Sequence, residues 1–142
     1  CKTVIRGFDS RPRLQFDMTD VIIVDDDPLA GGLMQDVLTE AGYTVDWIND
    51  SSKAIAAIKA AKPRLVVLDI LMPGIDGLTL LKMIKEDPET KETTVIMVSG
   101  KAFQADMDRA KRMGAAFFIT KPYSPDDVAQ SIVNLVGPPT KQ

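Results

Sequence analysis

Histidine is absent from the 142 residues, and cysteine occurs once, at Cys1. Without histidine the chain can hold no Ser-His-Asp triad, no His-ligated zinc and no phosphohistidine of its own. One cysteine excludes a disulfide framework and a thiolate metal cluster; it fits a reducing compartment, and a cytoplasmic location is expected. A basic excess is missing too, since 17 Lys and Arg stand against 20 Asp and Glu, a formal charge of −3. Neutralising a phosphate backbone calls for the opposite balance, which argues against direct nucleic-acid binding. Apolar runs such as Val21-Ile22-Ile23-Val24 and Leu65-Val66-Val67-Leu68 fall far short of the roughly 20 residues of a membrane-spanning helix. No signal-peptide pattern, internal repeat or low-complexity tract is visible, so no membrane partner is expected.

What the chain does contain suits one domain around one core. Residues 1–18 scatter Arg6, Arg11 and Arg13 among Asp9 and Asp17 without a period of two or 3.6 and read as an arm or linker. Residues 19–136 read as the domain, and 137–142, rich in Gly and Pro, as a C-terminal linker. A start at Cys1 rather than Met points to a fragment of a longer protein, a regulator or a hybrid kinase.

From Val21 onward, apolar runs at 21–24, 44–48, 65–68, 94–98 and 116–119 alternate with amphipathic stretches. Such alternation predicts strands joined by crossover helices into a parallel, doubly wound α/β sheet. The run at 65–68, apolar throughout, suits a central strand covered on both faces. Behind Pro28, the residues Leu29, Leu33, Met34, Val37, Leu38 and Ala41 recur at helical spacing until Gly42. Further helices are expected at about 51–61 and 77–85, along Phe103, Met107, Ala110 and Gly114, and from a Ser124-Pro125-Asp126-Asp127 cap through Val128, Ile132 and Leu135.

Ligands of open parallel sheets bind beyond the carboxyl ends of the strands. There the sequence puts Asp25, Asp26 and Asp27 after the first strand, Asp69 after the third, Ser99 after the fourth and Lys121 after the fifth. Clustered carboxylates repel unless a cation joins them, and an oxygen-only set suits a hard ion such as Mg²⁺. A nearby ammonium and hydroxyl could hold phosphoryl oxygens, with Asp69, central and on the most buried strand, as the nucleophile.

These residues resemble the receiver domains of two-component response regulators. Val24-Asp25-Asp26-Asp27-Pro28 is similar to the family's acidic pocket, and Leu68-Asp69-Ile70-Leu71-Met72-Pro73-Gly74-Ile75-Asp76-Gly77 to its phosphoacceptor and following loop. Val98-Ser99-Gly100 and Lys121-Pro122-Tyr123 resemble its hydroxyl and lysine motifs, the latter usually with a cis peptide. The resemblance implies a flavodoxin-like sheet of order 2-1-3-4-5 with five helices. It implies that Asp69 accepts a phosphoryl group from a histidine kinase or histidine phosphotransfer protein and ligates Mg²⁺ with Asp25, Asp26 and the Leu71 carbonyl. Ser99 and Lys121 would contact phosphoryl oxygens, and Ser99 and Phe118 would form a switch acting on the face of helix 4, strand 5 and helix 5, where homodimers can form. Slow autodephosphorylation would reset it. Asp27 stands at a variable position and reads as a helix cap.

Two other readings compete. A degenerate receiver would bind partners without phosphorylation, against which the complete acidic, hydroxyl and lysine set speaks. A haloacid-dehalogenase-type phosphatase would use Asp25-x-Asp27, but Leu29 stands where that family has Thr or Val, and Asp69 would go unexplained.

Overall fold

Unbroken aliphatic runs form the middle of the sheet, and the computed structural model, which describes residues 19–100 and 104–139, buries them completely. Strands β1 (Val21–Val24), β3 (Leu65–Asp69) and β4 (Thr94–Ser99) are buried along almost their whole length. Strands β2 (Val45–Ile48) and β5 (Phe117–Thr120) are only partly covered, because each borders a single neighbour. All pairings are parallel, in the order β2-β1-β3-β4-β5. Asp69 and Ser99, expected just past their strands, are instead the last paired residues, Asp69 opposite Val98 and Ser99 opposite Thr120. Ladder hydrogen bonds therefore fix their backbones.

Among the described residues five α-helices cover the sheet: α1 (Pro28–Glu40), α2 (Ala54–Ala61), α3 (Gly77–Glu86), α4 (Gln104–Arg112) and α5 (Pro125–Val136). Side chains alternate along a strand, so the two faces have separate cores. Ile22, Val24, Val66, Leu68 and Met97 pack with Ile58, Leu81 and Ala110 of α2, α3 and α4. Val21, Ile23, Val67 and Ile96 pack with Met34 and Leu38 of α1 and Val128 and Ile132 of α5. Truncating a fully buried residue such as Leu68 to alanine should cost about 2–5 kcal/mol, a large share of a domain's total stability.

The helices depart from the sequence reading in several places. Leu29 and Leu33, expected inward, are 83% and 53% exposed. Both stand two residues from Gly31, about 200° around the helix, and Gly31, Met34 and Leu38 are the residues that face the sheet. Leu135 is likewise outside, since Val128 and Ile132 already take the inward positions of α5. Residues 51–53 form a 3-10 turn before α2, with the Asp50 carboxylate accepting from the Ser52 amide at 3.0 Å. Asp27 caps α1 as expected, accepting from the Leu29 amide at 3.0 Å, whereas Ser124 occupies the cap position of α5 without a side-chain hydrogen bond. Gly42, with φ +106°, ends α1. The arm at 1–18 and Phe103 lie outside the described residues.

At the amino end of the strands one side chain gathers several segments. The Arg64 guanidinium donates to the carbonyls of Val136 and, at 3.1 Å, Pro138, and lies 3.4 Å from the buried Asp20 carboxylate. The Tyr43 hydroxyl donates to the Gly137 carbonyl at 3.0 Å.

Candidate functional site

The opposite end of the sheet collects the acids. Asp25 follows β1, its amide donating to the Ile48 carbonyl at 3.2 Å and its Oδ1 accepting from the Asp27 amide at 2.9 Å. The Trp47 indole donates to the Asp25 carbonyl at 2.8 Å. Asp25 and Asp69 are buried and Asp26 is exposed, and one carboxylate oxygen from each lies within 4.8 Å of the others. Asp27, spent on capping α1, is not in this group. That separation disfavours the phosphatase reading, which needs Asp25 and Asp27 as a working pair.

Glycine allows the next element to close on Asp69. A Cβ at Gly77 would lie 2.3 Å from the Asp69 carbonyl and 2.7 Å from the Ile70 Cα, so only glycine lets α3 begin here. The Gly77 amide donates to the Ile70 carbonyl at 2.8 Å, and Asp76 caps the helix through the Thr79 amide at 2.8 Å. Between them the loop is held by buried Ser51, which donates to the Pro73 carbonyl at 3.2 Å and accepts from the Ile75 amide at 3.1 Å. Leu71, in the same loop, is 59% exposed.

Lys121 enters from β5, its amide donating to the Ser99 carbonyl at 2.7 Å and its peptide bond to Pro122 being cis. The ammonium stands 3.6 Å from Asp25 Oδ2 and 3.7 Å from Asp69 Oδ2. The ammonium thus pairs with two of the three clustered carboxylates. Burial, and then the charge of Asp25, push the Asp69 carboxyl up to about 6, with Lys121 opposing them. Tyr123, half-buried beside the cluster, has its phenol pushed up by burial and then by Asp25 and Asp69. Excess negative charge, oxygen donors and a buried floor fit a hard divalent cation.

Ser99 is buried, and Phe118 is half-buried against the core below α3 and α4. Ser99 shares the face of Met97 by alternation, and Met97 is paired with Phe118. Beside Phe118 a cavity of about 340 Å³ opens between α4 and β5, lined by Met107, Ala110 and Ala116.

Asp25, Asp26, Asp69, Ser99 and Lys121 therefore share one rim, whereas the Asp27 carboxylate is turned to capping α1. Trp47, Gly31 and Ser51 escaped notice as parts of the site, and Gly77 and Tyr123 stood out only as members of longer motifs, without a role of their own. Gly31 alone carried a signal, being a poor helix former inside an amphipathic stretch.

Comparison with known proteins agrees with this geometry. The family described as the response regulator receiver domain matches residues 21–133. The nitrogen assimilation regulatory protein NtrX of Azorhizobium caulinodans is 39% identical over 109 residues, covering 75% of this chain and 24% of the relative. The transcriptional regulatory protein BaeR of Escherichia coli O6:H1 is 31% identical over 116 residues, 82% of this chain and 47% of the relative. The chain thus spans about a quarter of one regulator and under half of the other. The crystal structure of the receiver domain of NtrX from Brucella abortus superposes with a TM-score of 0.73 at 36% identity, covering 82% of this chain and 99% of that one.

Proposed function

Because the chain belongs to the response regulator receiver domain family, we propose that it is switched by a phosphoryl group passed from a partner's phosphohistidine to Asp69. An Asp69 carboxylate oxygen attacks phosphorus, the phosphorus–nitrogen bond breaks, and the partner's imidazole leaves. The observation that carries this reading is the Lys121 ammonium held between Asp25 and Asp69, 3.6 and 3.7 Å away. From there it can follow a phosphoryl oxygen as charge builds on it, with Ser99 receiving a second. Asp25, Asp26, Asp69 and the Leu71 carbonyl would hold Mg²⁺, which supplies charge neutralisation between carboxylate and phosphate.

Leu29 and Leu33, exposed in the first two turns of α1 after the acidic Asp25–Asp27 stretch, would give a histidine kinase or phosphotransfer protein an apolar foothold. Movement of Ser99 toward the phosphoryl group would free space for Phe118, and the cavity next to that ring supports such a shift. The face of α4, β5 and α5 would then carry the signal, to a second copy or another partner. Resetting follows when water hydrolyses the acyl phosphate. Among the described residues no helix is long and apolar enough to cross a membrane, and the reading assigns the domain to the cytoplasm.

Incubation with acetyl phosphate and Mg²⁺, followed by peptide mass spectrometry, tests the proposal. One phosphoryl group on Asp69, lost with EDTA or in Asp26→Ala, is expected. A wild-type protein that stays unmodified, while beryllofluoride with Mg²⁺ leaves its amide spectrum unchanged, would identify a degenerate receiver.

A further inference from the structure

The single tryptophan of the chain stands on an edge strand, where no motif asks for it. Its indole reaches the end of the neighbouring β1 and donates to the Asp25 carbonyl at 2.8 Å. That oxygen belongs to the planar peptide unit joining Asp25 to Asp26, two of the three members of the carboxylate cluster. Fixing that plane fixes the Cα atoms at its two corners and so limits where both side chains begin.

Helix α1 is shaped to leave room for this contact. A Cβ on Gly31 would fall 2.2 Å from Trp47 Nε1 and 2.4 Å from Cε2, whereas one on the adjacent Gly32 would meet nothing within 4 Å. Glycine inside a helix costs about 1 kcal/mol relative to alanine, and at position 31 the indole gives that cost a purpose. We propose that Trp47 and Gly31 are positioning residues of the cation pocket, the indole holding the Asp25–Asp26 peptide and the glycine admitting the indole. The inference rests on the reading of that pocket as a Mg²⁺ site.

Two substitutions attack the same hydrogen bond from opposite sides. Trp47→Phe keeps an aromatic ring and removes the donor; Gly31→Ala keeps the donor and displaces it. Calorimetric titration of each with Mg²⁺ should give binding weakened by about tenfold or less, as expected for a partner one step removed from the ligands. The double variant should be no weaker than the weaker single one, because only one contact is at stake. In the wild type the lone indole N–H resonance should shift during the titration. At saturating Mg²⁺ both variants should regain the wild-type rate of phosphorylation by acetyl phosphate, which a general loss of structure would not permit.

Unchanged Mg²⁺ affinity in Trp47→Phe, fully additive losses in the double variant, or phosphorylation that stays slow at saturating Mg²⁺ would each overturn the proposal. Should Trp47→Phe not fold, Gly31→Ala and the wild-type indole resonance decide it, and unchanged affinity in the former or an unmoved resonance in the latter counts against it. A wild-type protein that binds no Mg²⁺ would be a separate result, removing the metal reading and this inference with it.

Discussion

Asp69 is both the proposed nucleophile and a carboxyl that its surroundings disfavour as an anion. Burial and the Asp25 charge lift it to about 6 from an ordinary value of 3.8, so between those values the folded chain holds a proton that the unfolded chain has released. Stability then falls as pH rises through this window, and above it the full cost is present. Asp69→Asn should be more stable than the wild type at pH 7.5 in EDTA, by on the order of 1–3 kcal/mol, with the gain shrinking toward pH 4. Thermal melts across that range check this, and a gain that grows at acid pH would contradict the account. Labelling by acetyl phosphate should be abolished in the same variant. Leu71 acts on the reverse step: its exposed apolar side chain cannot orient a water for in-line attack. Leu71→Asn should therefore lose its phosphoryl group faster, by roughly tenfold or less, about 1 kcal/mol in the barrier. Decay after removal of the phosphodonor at equal Mg²⁺ measures it, and an equal or slower rate would refute the idea.

Among the elements, α1 has the clearest test, because its exposed leucines are proposed to meet a partner and take no part in the chemistry. Leu29→Ser with Leu33→Ser should slow phosphotransfer from a phosphorylated histidine kinase by about tenfold, a cost on the order of 1.4 kcal/mol, and leave labelling by acetyl phosphate unchanged. Equal slowing with both donors would place the defect in the site itself. For β4 and β5, Ser99→Ala should uncouple Phe118 from the phosphoryl mimic, read as amide shifts near Phe118 that beryllofluoride moves in the wild type and not in the variant. The strands were legible in the sequence because Val21–Val24 and Leu65–Leu68 have no polar position and so need cover on both sides. The carboxylate cluster was legible for a related reason, since strand ends in a parallel sheet share one rim. What periodicity could not settle was the inward face of α1: Leu29 and Leu33 fit the helical repeat as well as Met34 and Leu38 do. Contact between Gly31 and Trp47, 16 positions apart, selects the face, and a long-range contact leaves no local pattern. Ser51 escaped for the same reason, its partners Pro73 and Ile75 lying on another loop.

Across the whole molecule, chemistry and covalent connections occupy opposite ends of the sheet. Asp25, Asp69, Ser99 and Lys121 crown the carboxyl ends, whereas Asp20, where the chain enters β1, and Val136 to Pro138, where it leaves α5, meet at Arg64. Arg64→Ala should loosen the exit from α5, raising amide exchange at Gly137, whose N–H donates to the Val133 carbonyl at 2.8 Å, and cost about 1–3 kcal/mol as hydrogen bonds to the buried Asp20 and to the exit carbonyls are lost. Phosphorylation of Asp69 by acetyl phosphate should keep its rate; a large drop would reveal coupling along the sheet. Because one guanidinium grips both the incoming and the outgoing strand of polypeptide, a host protein into which this domain was spliced would see only a narrow gap between the two ends of its own chain. The domain is thereby suited to interruption of a loop as well as to tandem fusion, with the carboxylate rim at the far end of the sheet from both junctions.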